Sequence, residues 1–168
     1  MAREDVSTET TPVWIDRDTR HLIVDRTFDA PRDLVWAAFT EPERMAKWWG
    51  PRGWDTTNRE MDVRPGGVWH YCMTGPDGME SWGKAEYKEI TPKDRIVYVD
   101  WFSDAEGNNN EQMPSVLTTF EFHDLGAKTR VFATAEYAAV EALEQVIAMG
   151  MVQGLSESLD KLAELLAA

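Results

Sequence analysis

The pattern of apolar and polar positions changes period several times along the chain. From 21 to 28 it alternates, with Leu22, Val24 and Phe28 on one face and Arg26 as the exception. Such period-2 alternation predicts a strand. Pro31 then opens a helix with an apolar stripe of Leu34, Val35, Ala38 and Phe39. Proline suits a first helical position because no N–H is needed there. Thr40-Glu41-Pro42-Glu43 has the form of a capping box with an early proline. It predicts a second short helix running towards Trp48-Trp49 and stopped by Gly50-Pro51.

Strands follow, separated by turn residues. Arg64-Pro65-Gly66-Gly67 divides 54–63 from 68–74, and Gly75-Pro76-Asp77-Gly78 precedes 79–90. Thr91-Pro92-Lys93-Asp94 precedes 95–102. After a polar loop at 104–112, expected to be mobile, 115–123 and 128–137 flank Asp124-Leu125-Gly126-Ala127. With the first strand this makes about seven, and the short connections predict antiparallel neighbours. The C-terminal segment returns to helical spacing through Leu143, Ile147, Met151, Leu155, Leu159, Leu162 and Leu166. Gly150 and Gly154 lie one turn apart within it, each costing about 1 kcal/mol against alanine. They predict a close neighbour, space left for something else, or a bend.

Composition narrows the partners. The 168 residues suit one domain, here 19–168, after a flexible polar tail at 1–18. Thirty acidic against 17 basic side chains give a net charge of -13, and there is no basic run. A polyanion is repelled by such a chain, so nucleic acid is excluded as a partner. One cysteine excludes an internal disulfide and the usual thiolate zinc site. With no apolar run of signal-peptide or membrane-spanning length, the expectation is a cytoplasmic protein without a membrane span. Eight tryptophans are many for this size.

Several short motifs occur in a telling order. Phe28-Asp29-Ala30-Pro31 is followed by Val35-Trp36, Trp48-Trp49-Gly50-Pro51 and Arg64-Pro65-Gly66-Gly67. Gly83, Glu89-Ile90 and Pro92 come next, then Gly154 and Leu159-Asp160-Lys161-Leu162. Over about residues 20–168 the chain resembles the bacterial branch of the heat-shock-protein-90 ATPase activator homologue family, within the START-like (SRPBCC, Bet v 1-like) superfamily. Leu155 departs from it, standing where the family often has tryptophan. The resemblance implies an α+β helix-grip fold. In that fold a curved antiparallel sheet of about seven strands wraps a long C-terminal helix, with two short helices after the first strand. It also implies a cavity between sheet and helix, and, through the family name, a stress-related chaperone helper as one reading of function.

The residues themselves support a ligand cavity of the mostly apolar kind. Trp69, Tyr71 and Met73 share one strand face. Val97, Val99 and Trp101 share a second, and Ile96, Tyr98 and Phe102 the face opposite to it. Val116, Thr118, Phe120 and Phe122 form another. Trp49 and Trp54 fall near the expected mouth, with Met113 able to close it; Trp82 lies on a strand, and Met149 and Gln153 lie near the helix glycines. The candidate ligand-binding residues are therefore Trp49, Trp54, Trp69, Tyr71, Trp82, Tyr98, Trp101, Met113, Phe120, Met149 and Gln153. Each has a plainer reading as ordinary core.

No metal site or cofactor is expected: His70 and Cys72 share a face but supply only two ligands. Catalysis is a second reading rather than the first. Glu86, Asp100 and Glu121 lie within strands, and a carboxylate facing an apolar cavity titrates high. Asp100 interrupts an otherwise apolar run, and Arg130 is a candidate partner for Glu121. The leading expectation is a binding protein for a small hydrophobic or aromatic ligand. An enzyme acting on such a ligand by cyclase-like acid–base chemistry comes next, and the chaperone helper last. A homodimer is compatible with all three.

Overall fold

The computed structural model describes residues 3–168. Its described residues form nine strands and four helices. The strands are β1 (Glu4–Asp5), β2 (Val13–Asp16), β3 (His21–Phe28), β4 (Asp55–Met61), β5 (Val68–Thr74), β6 (Glu80–Thr91), β7 (Arg95–Ser103), β8 (Val116–Asp124) and β9 (Thr129–Glu136). Helices α1 (Arg32–Thr40) and α2 (Pro42–Met45) follow β3, and α3 (Val140–Ala148) and α4 (Met151–Ala167) close the chain. One antiparallel sheet runs β1-β2-β3-β9-β8-β7-β6-β5-β4.

The expectation of about seven strands is thus corrected to nine, and the short helices follow the third strand, not the first. The two extra strands come from the segment read as a tail. Val13-Trp14-Ile15-Asp16 alternates, and it pairs with β3 so that Val13 and Ile15 are buried. Four residues are too few to display that period among polar neighbours. Hydroxyls secure the rest of the segment: Thr8 Oγ1 lies 2.6 Å from Ser156 Oγ on α4, and Ser156 donates to buried Thr11 at 3.1 Å.

Pro31 caps α1, with Val35, Ala38 and Phe39 buried beneath it. The expected capping box does not form, because Thr40 instead donates back to the Trp36 carbonyl at 2.8 Å, and Glu41 is the cap of α2. Phe39 packs on Trp48, Phe120 and Phe122 with ring centroids 4.8–5.0 Å apart. Trp48 is fully buried and gives its indole N–H to the Ala38 carbonyl. That hydrogen bond lets an indole sit in a core without an unsatisfied donor.

The C-terminal helix bends at Gly150, whose φ of +87° is left-handed and suits glycine. Gly154 has a different role: a Cβ there would reach ordinary contact with Pro51, 3.8 Å away. The loop at 104–112 is fastened to the outer face of the sheet. His70 Nε2 meets the Asp104 carbonyl at 2.8 Å, Lys84 donates to the Gly107 carbonyl, and Asp104 accepts from the N–H groups of Glu106 and Asn108.

Candidate functional site

A cavity of about 360 Å³ lies between the inner face of the sheet and the α3–α4 corner. Its volume is near the lower end of the range that encloses drug-sized ligands. The walls are largely apolar. β3, β8 and β9 contribute Leu22, Val24, Phe120, Val131 and Ala133, and α4 contributes Leu155 and Leu159. Trp49-Gly50-Pro51 borders it on one side and Met149-Gly150-Met151 on the other. Met149 is exposed and marks the mouth. The Trp49 loop is held to α4, because Lys161 donates to the Gly50 carbonyl at 3.1 Å and Glu157 accepts the Arg52 N–H.

The polar exception is Asp100. In β7 it shares the inward face with Ile96, Tyr98 and Phe102. Its cross-strand neighbours are Ala85 and Val116, and beyond Ala85 comes Trp69. The small residues of β6 leave space above that strand, and Tyr71 fills it from β5. A Cβ on Gly83 would lie 2.3 Å from Tyr71 Cζ, so glycine is required here for room. Across that gap the Tyr71 hydroxyl donates to the Asp100 carboxylate at 3.2 Å.

Asp100 is half-buried, and it borders the cavity. Burial pushes its pKa up to about 7, while the hydrogen bonds from Tyr71 and the Trp101 backbone pull the other way without prevailing. Among the described residues no ion pair reaches it. Its charge is felt by all four tyrosines of the chain. Burial first, and Asp100 second, hold Tyr71, Tyr87, Tyr98 and Tyr137 above the ordinary phenol range. The hydroxyls of Tyr87 and Tyr137 are buried without a hydrogen-bond partner, and Tyr137 lines the cavity.

A second charged position lies on the same inner face. Arg26, the exception in the β3 alternation, borders the cavity and pairs with Asp160 of α4 at 2.8 Å. It also donates to Thr11 and lies 5.2 Å from the centre of the Phe28 ring.

Of the candidate residues, Trp49, Tyr71, Trp82, Tyr98, Trp101, Phe120 and Met149 border the cavity. The Trp82 indole, however, stacks on His70 at 4.9 Å and donates to Glu80. Four candidates lie elsewhere. Trp69 is fully buried in the ring cluster with Trp49 and Tyr71 and donates to Asn58. Trp54 packs at Gly75, Met113 accepts a hydrogen bond from Gln145, and Gln153 donates to Glu157. Of the three strand carboxylates only Asp100 faces the cavity. Glu86 pairs with Lys88, and Glu121 with Arg95 and His123, all at the outer surface. Arg130 pairs with Asp25 instead of Glu121. Sequence reasoning missed Tyr137, Gly83 and Arg26 as site residues; only Arg26 left a visible signal, as a charge on an apolar face.

The comparisons with known proteins agree with this architecture. A family model described as Activator of Hsp90 ATPase homolog 1-like protein matches residues 29–167. The crystal structure of protein Ms6760 from Mycobacterium smegmatis is 32% identical with a TM-score of 0.85, covering 98% of this chain and 97% of that one. A solution structure from Arthrobacter aurescens is 27% identical with a TM-score of 0.88, covering 98% and 92%. One from Staphylococcus epidermidis is 30% identical with a TM-score of 0.80, covering 91% and 93%. Among curated proteins, none matches the chain. No helix of the described residues is long and apolar enough to cross a membrane.

Proposed function

The chain belongs to the Activator of Hsp90 ATPase homolog 1-like family, and from that premise we propose that it binds a small hydrophobic or aromatic ligand in the cavity between sheet and C-terminal helix. The observation that carries this reading is the cavity itself. An interior of about 360 Å³ walled by apolar side chains is surface that a ligand can cover. Unfilled, it forfeits the dispersion contacts that packing would supply. Trp49, Tyr71, Tyr98, Phe120 and Met149 are the residues proposed to touch the ligand. The test is calorimetric titration with apolar and aromatic compounds, on wild type and on Leu155→Trp, which fills the cavity from α4. Binding by wild type and its loss in the folded variant is the expected result. Equal binding by both rejects the site.

A second reading, acid–base chemistry on the bound ligand, is favoured by one observation. Asp100 faces the cavity, and burial brings its carboxyl up to about 7, the range where general acids and bases work well. Recovery of every bound compound unchanged after prolonged incubation counts against it.

A further inference from the structure

We propose that the cavity selects hydrophobic amines, binding the ammonium group at Asp100 with the apolar body against the surrounding aromatic wall. This rests on the ligand-binding reading and adds the chemistry of the head group.

The first ground is a missing countercharge. Asp100 is half-buried on the cavity wall, accepts from Tyr71 and from the Trp101 backbone, and meets no cation among the described residues. Arg26 borders the same cavity, but Asp160 and Thr11 already hold its guanidinium. A buried carboxylate is stable in its ionised form only when paired. Here the pairing charge has to arrive with the ligand.

The second ground is Tyr137. The residue borders the cavity, and its hydroxyl is buried without a hydrogen-bond partner. An ammonium carries three donors, so one held at Asp100 has donors to spare for a further acceptor on the wall. The third ground is the wall. Tyr71 and Tyr98 border the cavity with Asp100, and aromatic rings attract cations in a dry site. Finally, the net charge of -13 draws cations towards the mouth and repels anionic molecules.

The pH dependence follows from the groups that face Asp100. These are Tyr71 on β5, Tyr87 on β6, Tyr98 on β7 and Tyr137 beyond β9, all neutral through the neutral range because their own values are raised. Asp100 alone among them changes charge there. With its carboxyl at about 7, it is about nine-tenths ionised at pH 8 and about one-tenth at pH 6. Alkylamines stay protonated across that interval, with values of about 10.

The experiment is calorimetric titration of the full chain with tryptamine, 2-phenylethylamine and n-octylamine. Each is matched with the alcohol and the carboxylic acid of the same skeleton, at pH 6 and pH 8. The expected result is that amines bind at least about fivefold tighter than their alcohols at pH 8, and that amine affinity falls about tenfold at pH 6. Asp100→Asn should erase both the preference and the pH dependence. Tyr71→Phe removes a hydrogen bond that lowers the Asp100 carboxyl, so the midpoint of the amine pH dependence should move to higher pH. Should Asp100→Asn fail to fold, the wild-type contrast and Tyr71→Phe decide. Alcohols or acids binding as tightly as amines at pH 8 overturns the amine proposal and leaves cavity binding standing. No binding by any compound overturns the cavity reading as well.

Discussion

Asp160 and Asp100 are two carboxylates near the interior, and their surroundings differ in what they supply. Asp160 on α4 meets the Arg26 guanidinium at 2.8 Å. Burial pulls its carboxyl up, but hydrogen bonds from Thr10 and Arg26 outweigh that and leave it below the ordinary range. Asp100 on β7 has only a tyrosine and a backbone N–H, and burial carries it up to about 7. The first arrangement is complete within the chain and ties strand, N-terminal segment and helix together. The second lacks a countercharge and opens on the cavity. A charge settled by its own fold reads as structure, whereas one left open in a pocket reads as a place for something else to bind.

The largest expected effect breaks the comparison from the Asp100 side. Its folded value is raised above that of an unfolded chain, so the folded state holds the extra proton between pH 4 and 7. Stability should therefore fall as pH rises through that window, by on the order of 4 kcal/mol at most. Asp100→Asn cannot ionise and should lose that slope, becoming more stable than wild type at pH 8 but not at pH 4. Urea unfolding at both pH values checks this.

Next comes the paired side. Arg26→Ala strands Asp160 and takes a donor from buried Thr11, and should cost about 2–3 kcal/mol. Chemical denaturation at pH 7 measures it, and the loss should shrink as acid protonates Asp160, which the Arg26 pairing delays to below the ordinary carboxylate range.

A smaller effect sharpens the geometry. Gly83→Ala sets a Cβ against the Tyr71 ring and should cost about 1–3 kcal/mol by overpacking. It should also move Asp100 to a still higher pKa, because the hydrogen bond that lowers it is displaced. A carboxyl titration of this variant reads the second effect apart from the first.

Much of this contrast was legible in the residue pattern. Arg26 breaks the β3 alternation and Asp100 breaks the apolar run of β7. Each break marks a charge on an inward face, and period-2 spacing alone groups Asp100 with Tyr98 and Phe102. Spacing could not say that the Tyr98 face is the inner one, because both faces of β7 carry large apolar residues. It also could not separate Trp69 from Tyr71. The two share a face, yet one is buried beneath the rings and the other reaches across Gly83. That difference depends on which strand lies alongside and how small its residues are, and so on register. Tyr137 escaped notice for a similar reason, since its place on the cavity wall comes from β9 pairing with β3, far from it in sequence. The β2 strand was lost to its own brevity.

The most direct measurement is an NMR pH titration of the Asp100 carboxyl carbon in the unliganded protein, assigned through Asp100→Asn. This cavity carboxyl, without an ion-pair partner among the described residues, is expected to titrate with a midpoint of about 7. A midpoint near 4, the ordinary carboxylate range, would contradict it.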